Sequence, residues 1–259
     1  MRIALCAEYD GSDFSGWEAQ PHARTVQATL EQALARVADR PVATVCAGRT
    51  DARVHALAQV VHFDSDAERA PHEWVLGANS NLPADVSVRW AQPVGEDFHA
   101  RYSAECRHYR YLILNRRERP ALLRARAAWE RAPLDVERMQ AAAAHLVGEH
   151  DFTSFRAAAC QAKNPVRTLV HLEIQRRGAL VAIDVAANAF LQHMVRNIAG
   201  MLVAVGNGRR EPAWAGELLA ARDRTRGEAT ASAQGLYLAR IDYPPEHALP
   251  VVSPEWPLW

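Results

Sequence analysis

The stretch CAGRTDARVHALAQVVHF, residues 46–63, places a polar knot between two strand-like segments. A short apolar run leads in at residues 42–46, and another leads out at residues 58–63. A generic short turn would join two such strands, yet this connection carries Gly-Arg-Thr-Asp. Asp51 is therefore either a turn residue that hydrogen-bonds its own backbone or a chemical group.

Bulk composition is that of an ordinary globular protein. The chain has 259 residues, of which 49% are hydrophobic, so it can bury a sizeable core. It contains no apolar run that approaches a membrane span, and the apolar part of its N-terminus is too short for a secretory signal, which predicts a cytoplasmic location. Its four cysteines lie far apart and form no CxxC pair, so we expect neither disulfides nor a metal site.

Charge is distributed unevenly although the formal net charge is zero. Residues 101–131 hold nine arginines against three glutamates, whereas Lys163 is the only lysine of the chain. Arginine binds phosphate through two hydrogen bonds and stacks on bases, so this segment favours an RNA-binding face. A GC-rich genome that encodes most cationic residues as arginine would explain why lysine is nearly absent. It would not explain why the arginines cluster in residues 101–131.

The hydrophobic periodicities predict strands and helices in a similar order twice along the chain. Strands are predicted at residues 2–9, 42–47, 58–63, 86–91, 106–114, 167–176, 180–186 and 235–243. A helix capped by Thr25 is predicted from the spacing of Val26, Leu30, Leu34 and Val37, and further helices are predicted at residues 71–78, 135–147 and 191–206. We expect an α+β fold of two pseudo-symmetric lobes, each a mainly antiparallel sheet with helices on one face, around a central RNA-binding cleft. The expected domains are residues 1–105 and 106–245, followed by an irregular Pro-rich tail at 246–259.

Three side chains are candidates for chemistry. Asp51 lies near Arg49 in sequence, and a carboxylate beside a guanidinium stays ionised, which suits a nucleophile rather than a general acid. Tyr109 offers a ring on a strand, either for stacking on a base or for packing in the core. Arg196 falls opposite the apolar stripe of its predicted helix, where it is either solvated or directed at a carboxylate. Walker, GxGxxG, HExxH and GxSxG motifs are absent, which excludes the common enzymes that carry them.

Seven motifs in order carry a family resemblance. They are YDGSDFSGW at 9–17, GRTDARVHA at 48–56, FHARYSA at 98–104, RHYRYLI at 107–113, DFTSFR at 151–156, NAFLQHMVRNI at 188–198 and GLYL at 235–238. Together they resemble the tRNA pseudouridine synthase A family over about residues 1–245. The resemblance implies an isomerase that converts uridine to pseudouridine at tRNA positions 38, 39 and 40, in the anticodon arm. It also implies a homodimer of two-lobed subunits that needs no cofactor or metal.

The resemblance assigns a role to each candidate residue. Asp51 matches the nucleophilic aspartate, and Arg196 matches the arginine that pairs with it. Tyr109 matches the tyrosine that stacks on the target uracil, and Arg49 matches the motif arginine that helps to open the base stack. Attack on C1′ of the sugar and loss of the base toward a glycal-like intermediate both remain open.

Two positions depart from the family pattern. Arg53 stands where the motif usually has glycine, and we expect it to be accommodated there and to add a phosphate contact, at a cost of roughly 1 kcal/mol if the position needs a positive φ. Glu18 replaces a glutamine and either faces water or adds negative charge near the RNA path.

Three other functions are alternatives to a tRNA pseudouridine synthase. A non-catalytic tRNA-binding protein on the same scaffold would not need the Asp51 carboxylate. A synthase with another RNA target would share the same catalytic residues. A glycoside hydrolase would need a second carboxylate across the cleft, for which the sequence offers no clear candidate.

Overall fold

The computed structural model describes residues 1–252 and confirms the α+β class. The strands of this part of the chain are β1 (Arg2–Tyr9), β2 (Val45–Cys46), β3 (His55–Asp64), β4 (Val86–Val94), β5 (Cys106–Asn115), β6 (Ala128–Glu130), β7 (Gly148–Asp151), β8 (Val166–Arg177), β9 (Leu180–Ala187) and β10 (Leu236–Asp242). The α-helices are α1 (Val26–Ala38), α2 (Pro71–Asn81), α3 (Val136–Ala144), α4 (Met194–Gly206) and α5 (Trp214–Ala221). Within residues 1–252 every helix is too short to cross a membrane, α1 and α4 being 13 residues each.

The described chain divides into two compact units. The first unit comprises Met1–Arg107 together with the described residues from Tyr237 on, and the second comprises His108–Leu236. Nearly all of β10, the last strand, thus belongs to the first unit. Of the predicted tail, residues 253–259 lie outside the described residues.

The first unit is built around β1. This strand lies between β4 and β3 and runs antiparallel to both, and β10 follows on the far side of β3 in parallel orientation. Both faces of β1 are covered, since Ala4 and Leu5 are fully buried although they point to opposite faces. Helix α2 packs against β4 and against α1. Of the four residues in the apolar stripe predicted for α1, Val26, Leu30 and Leu34 are buried and Val37 is half-buried.

The second unit holds the strand order β5-β9-β8-β7, with β6 paired in parallel to β5. Strand β8 is antiparallel to both β7 and β9. Helix α3 packs against β8 and α4. Helix α4 is apolar almost all round, and eleven of its residues are buried, as expected of a helix in the centre of its unit.

Several predicted boundaries differ from the structure. The strand expected at 58–63 begins at His55, the strand expected at 86–91 ends at Val94, and the helix expected at 71–78 ends at Asn81. The strand expected at 42–47 shrinks to β2, because the Thr44 N–H donates to the Glu31 carboxylate of α1 rather than to a strand. The helix expected at 191–206 begins only at Met194, because His193 takes the left-handed conformation with a φ of 62°. The helix expected at 135–147 ends at Ala144, and the short strands β6 and β7 and helix α5 were not predicted.

Candidate active site

The loop that carries Asp51 is tied to the segment 9–17 by backbone hydrogen bonds. The Trp17 N–H donates to the Thr50 carbonyl at 3.0 Å, and the Arg53 N–H donates to the Phe14 carbonyl at 3.2 Å. These bonds fix the chain immediately before Asp51 and two residues after it. The half-buried Asp51 is therefore presented by a loop whose backbone is held on both sides.

Two glycines of the 9–17 segment allow this close approach. Gly16 has a φ of 102°, and a Cβ there would lie 3.0 Å from the Thr50 carbonyl oxygen. A Cβ on Gly11 would lie 2.0 Å from the carbonyl oxygen of Val54. Any side chain at either position would push the two segments apart. The first motif of the sequence thus supports the second motif, which holds Asp51.

Buried polar side chains support the loop that carries Asp51 from the protein interior. Gln59, fully buried on β3, donates from its amide to the Gly48 carbonyl at 2.6 Å. The hydroxyl groups of Tyr9 and Thr50 lie 2.7 Å apart, also in the interior. Sequence reasoning missed these supporting residues, although a glutamine within an otherwise apolar strand was the available signal.

His55 is a second buried support that was not predicted. It is 2% exposed, its Nδ1 accepts the Gly11 N–H at 3.1 Å, and its ring stacks on Tyr237 at a centroid distance of 4.7 Å. The histidine next to the Asp51 loop therefore has a structural role within the first unit.

Arg49 and Arg53 reach outward from the same loop. The Arg49 Nη2 lies 2.6 Å from the Glu18 Oε1, and both side chains are at least half exposed. The structure thus answers the question that the Glu18 substitution raised, since this carboxylate pairs with the motif arginine. Arg53 is exposed and has a φ of 67°, so the position does require the left-handed conformation that glycine usually supplies.

Tyr109, on β5 of the second unit, is half-buried. The Phe190 ring meets it edge to face at a centroid distance of 5.1 Å and an angle of 85°. Tyr111, on the same face of the strand, is fully buried and donates its hydroxyl to the Ser232 carbonyl at 2.8 Å. Of the two tyrosines, Tyr111 is therefore the core residue, and Tyr109 keeps part of its ring accessible.

Arg196 lies on α4 of the second unit and is not a solvated surface residue. Its Nε donates to the Ala231 carbonyl at 2.8 Å, and the Ala231 N–H donates back to the Arg196 carbonyl at 3.2 Å. Gly200, one turn further along, allows the segment 229–231 to lie against the helix, because a Cβ there would be 2.4 Å from the Ala229 carbonyl oxygen. The guanidinium is thereby oriented by fixed backbone.

The Arg-rich segment 101–131 separates into interior and surface residues. Arg107 is buried and donates to the carbonyls of Ala104 at 2.9 Å and Arg101 at 2.6 Å. Arg110 binds Asp184 through two bonds of 2.6 and 2.7 Å. Surface arginines of the segment are Arg101, Arg116, Arg117, Arg119, Arg124 and Arg131. The predicted RNA face can therefore draw on these six residues but not on Arg107.

An exposed aromatic cluster in the FHARYSA motif was not predicted. Tyr102 is 77% exposed, its ring stacks on His99 at 4.3 Å, and the Arg101 guanidinium lies 5.7 Å from the ring centroid. An aromatic ring beside a guanidinium is a surface on which nucleic-acid bases can stack.

Comparisons with known proteins agree on one family. The family model described as tRNA pseudouridine synthase matches residues 5–103 and 142–244. The tRNA pseudouridine synthase A of Nitrosococcus oceani is 59% identical over 259 residues, covering 100% of both chains. The proteins of that name from Alcanivorax borkumensis and Coxiella burnetii strain Dugway are each 55% identical, over 100% and 96% of this chain and 97% and 95% of their own.

Proposed function

The chain belongs to the tRNA pseudouridine synthase family, and on this premise we propose that it isomerises uridine to pseudouridine in the anticodon stem-loop of tRNA. The targets are the uridines at positions 38, 39 and 40. The observation that carries the assignment is Asp51, a half-buried carboxylate on a loop whose backbone is fixed on both sides. Such fixing is what a reacting group needs, because catalysis depends on holding the attacking atom in place.

The reaction breaks the C1′–N1 glycosidic bond and joins C1′ to C5 of the same uracil. In one route the Asp51 carboxylate attacks C1′, and the uracil departs from C1′ with the bonding electrons on its N1. The uracil then turns, and its C5 displaces the carboxylate from C1′. In the other route the carboxylate removes the C2′ proton as the base leaves, which gives a glycal-like intermediate, and C5 then adds to C1′ while that proton returns to C2′. In both routes the proton on C5 is released and N1 gains one, so atoms and charge balance.

Tyr109 and Arg196 serve the same step in this proposal. Removing the target base from its stack costs a few kcal/mol, and the accessible face of Tyr109 offers a replacement surface for the uracil. The Phe190 ring contacts the Tyr109 ring edge to face. For Arg196, which the Ala231 carbonyl orients, we propose the role that the family resemblance implies, that of the cation paired with the nucleophilic carboxylate.

The RNA backbone is held by arginines in this proposal. Arg49, for which the family resemblance implies a role in opening the base stack, and Arg53 are exposed on the loop that carries Asp51. From there both can also reach the phosphates that flank the flipped nucleotide. The six surface arginines of residues 101–131 supply further contacts to phosphate. A homodimer, a cytoplasmic location and the boundaries at residues 105 and 245 stay predictions from the sequence.

Mapping the modified uridine tests the proposal. An unmodified tRNA transcript is incubated with the protein and treated with a carbodiimide that leaves a stable adduct on pseudouridine, and reverse transcription then stops at each adduct. We expect stops that report positions 38, 39 and 40 wherever these are uridines. Stops elsewhere would contradict the proposed positions. Binding without any new stop in several tRNAs would favour the non-catalytic tRNA-binding protein.

A further inference from the structure

Glu18 and Arg49 form an ion pair beside the Asp51 loop. Their charged atoms are 2.6 Å apart, and the two side chains are 50% and 64% exposed. Because neither charge is buried, separating them removes no group from a hydrophobic environment. The pair can therefore open at low cost, as exposed ion pairs do.

Both partners are presented by fixed backbone. Gly48, before Arg49, is held by the Gln59 amide at 2.6 Å, and Thr50, after it, accepts the Trp17 N–H at 3.0 Å. Trp17 is buried, so the residue that follows it, Glu18, is set beside the loop by the same contact. The proximity of the two charges is thus a property of the fold rather than of two freely moving side chains.

A carboxylate and a phosphate compete for a guanidinium, because each accepts hydrogen bonds from its planar set of N–H groups. We propose that Glu18 is a built-in competitor for the RNA phosphate at Arg49, which the tRNA must displace when it binds and which returns when the product leaves. The inference rests on the proposed function, since it takes Arg49 to be a residue that binds RNA.

The proposal predicts both an affinity and its dependence on salt. Replacing Glu18 by Gln should lower the Kd for unmodified tRNA transcript by about two- to fivefold, the size expected when one exposed ion pair no longer competes. In the unsubstituted protein the displaced carboxylate takes up a cation, which offsets part of the cation release from the RNA. The Glu18→Gln variant should therefore show a steeper dependence of log K on log salt, by a fraction of one charge.

A double-mutant cycle separates competition from general charge effects. In an Arg49→Ala background, the Glu18→Gln change should leave the Kd unaltered, because its effect acts through Arg49. The matched control is Asp66→Asn, which also removes one negative charge from an exposed ion pair of the first unit. In that pair the Arg40 Nη1 and the Asp66 Oδ2 are 2.8 Å apart. We expect this control to leave the Kd unchanged, and Glu18→Ala should reproduce the result of Glu18→Gln.

Filter binding at salt concentrations on both sides of about 0.1 M, where the Debye length is about 10 Å, gives all these values. An equal gain in the Asp66→Asn variant, or a gain that persists without Arg49, would overturn the inference. Weaker binding by Glu18→Gln would also overturn it, since Glu18 would then orient Arg49 for RNA. If the unsubstituted protein binds no tRNA, the proposed function fails and the inference with it. Tight binding and turnover with an unchanged Kd in Glu18→Gln would contradict the inference alone.

Discussion

Arg53 shows how one residue departs from the family pattern within an otherwise matching motif. Its φ of 67° lies in the left-handed region, where a side chain is strained and glycine is not. The side chain is exposed, next to the Asp51 loop. An arginine retained at a strained position is consistent with a contact that compensates for the strain, and a phosphate of the RNA is the contact that we propose.

Replacing Arg53 by Gly separates the strain from the contact. The free energy of unfolding should rise by roughly 1 kcal/mol, because glycine adopts this conformation without penalty. The Kd for tRNA should rise at the same time, because a cation near phosphate is lost. Urea unfolding and filter binding measure the two effects.

The matched control is Arg222→Gly, which removes an exposed arginine of the second unit with a φ of 48°. This change also removes the contact of 3.4 Å between the Arg222 Nε and the Asp151 carboxylate, so the gain in stability should be smaller than for Arg53→Gly, and the tRNA affinity should not change. If Arg53→Gly binds tRNA as well as the unsubstituted protein, the phosphate contact does not exist.

At the scale of elements, the site depends on how the segment 9–17 meets the Asp51 loop. Gly16→Ala combines a positive φ with a Cβ 3.0 Å from the Thr50 carbonyl oxygen. We expect a loss of about 2 kcal/mol or more of unfolding free energy, and a lower kcat because Asp51 is displaced. Urea unfolding and the rate of pseudouridine formation under saturating tRNA give the two quantities.

Gly208→Ala controls for backbone strain alone. Gly208 has a φ of 80°, but a Cβ there would meet no atom within 4 Å. Gly208→Ala should lower the free energy of unfolding by about 1 kcal/mol and leave kcat unchanged. Equal effects of the two alanines on kcat would show that the close approach at Gly16 does not position Asp51.

Helices and strands could be predicted where neighbouring residues specify them, but not where they depend on pairing with a distant segment. Helix α1 and strand β1 were predicted because their own apolar spacing specifies them. Strand β2 was predicted too long, at 42–47, and the short strands β6 and β7 were not predicted, since such strands are defined by their pairing partners. The support of the Asp51 loop by Gly11 and Gly16 was likewise invisible, because it requires two distant segments in register.

The candidate site shows a similar limit. Residue patterns alone left open whether Asp51 was a turn residue, and only the order of seven motifs pointed to chemistry. The Arg-rich composition indicated an RNA face, but composition does not distinguish a surface arginine from Arg107, which binds backbone carbonyls in the interior.

At the scale of the whole molecule, the lowered pKa of His62 determines part of the pH dependence of the free energy of unfolding. This histidine is 5% exposed, and burial, helped by the positive charges of His99 and Arg2, lowers its pKa from 6.5 to about 4. Its Nδ1 accepts the Ala100 N–H at 3.1 Å, a bond that protonation of this nitrogen would break. Between pH 6.5 and 4, His62 is therefore protonated in the unfolded chain but stays neutral in the folded chain.

The free energy of unfolding should therefore fall as the pH drops through this window, by roughly 3 kcal/mol from His62. A His62→Gln variant keeps an acceptor for the Ala100 N–H but does not titrate, so its loss over the same window should be smaller by that amount. Urea unfolding of both proteins at several pH values measures the difference. Parallel pH profiles would contradict the lowered pKa.

The central claim is that Asp51 is the nucleophile of a uridine isomerase, and one experiment tests it most directly. A tRNA transcript carrying tritium at C5 of uracil is incubated with the unsubstituted protein and with Asp51→Ala, after circular dichroism has shown that both are folded. The unsubstituted protein should release tritium to water, and the variant should release none while it still binds the tRNA. Release by the variant at the normal rate would contradict the role of Asp51, and no release by either protein would contradict the reaction itself.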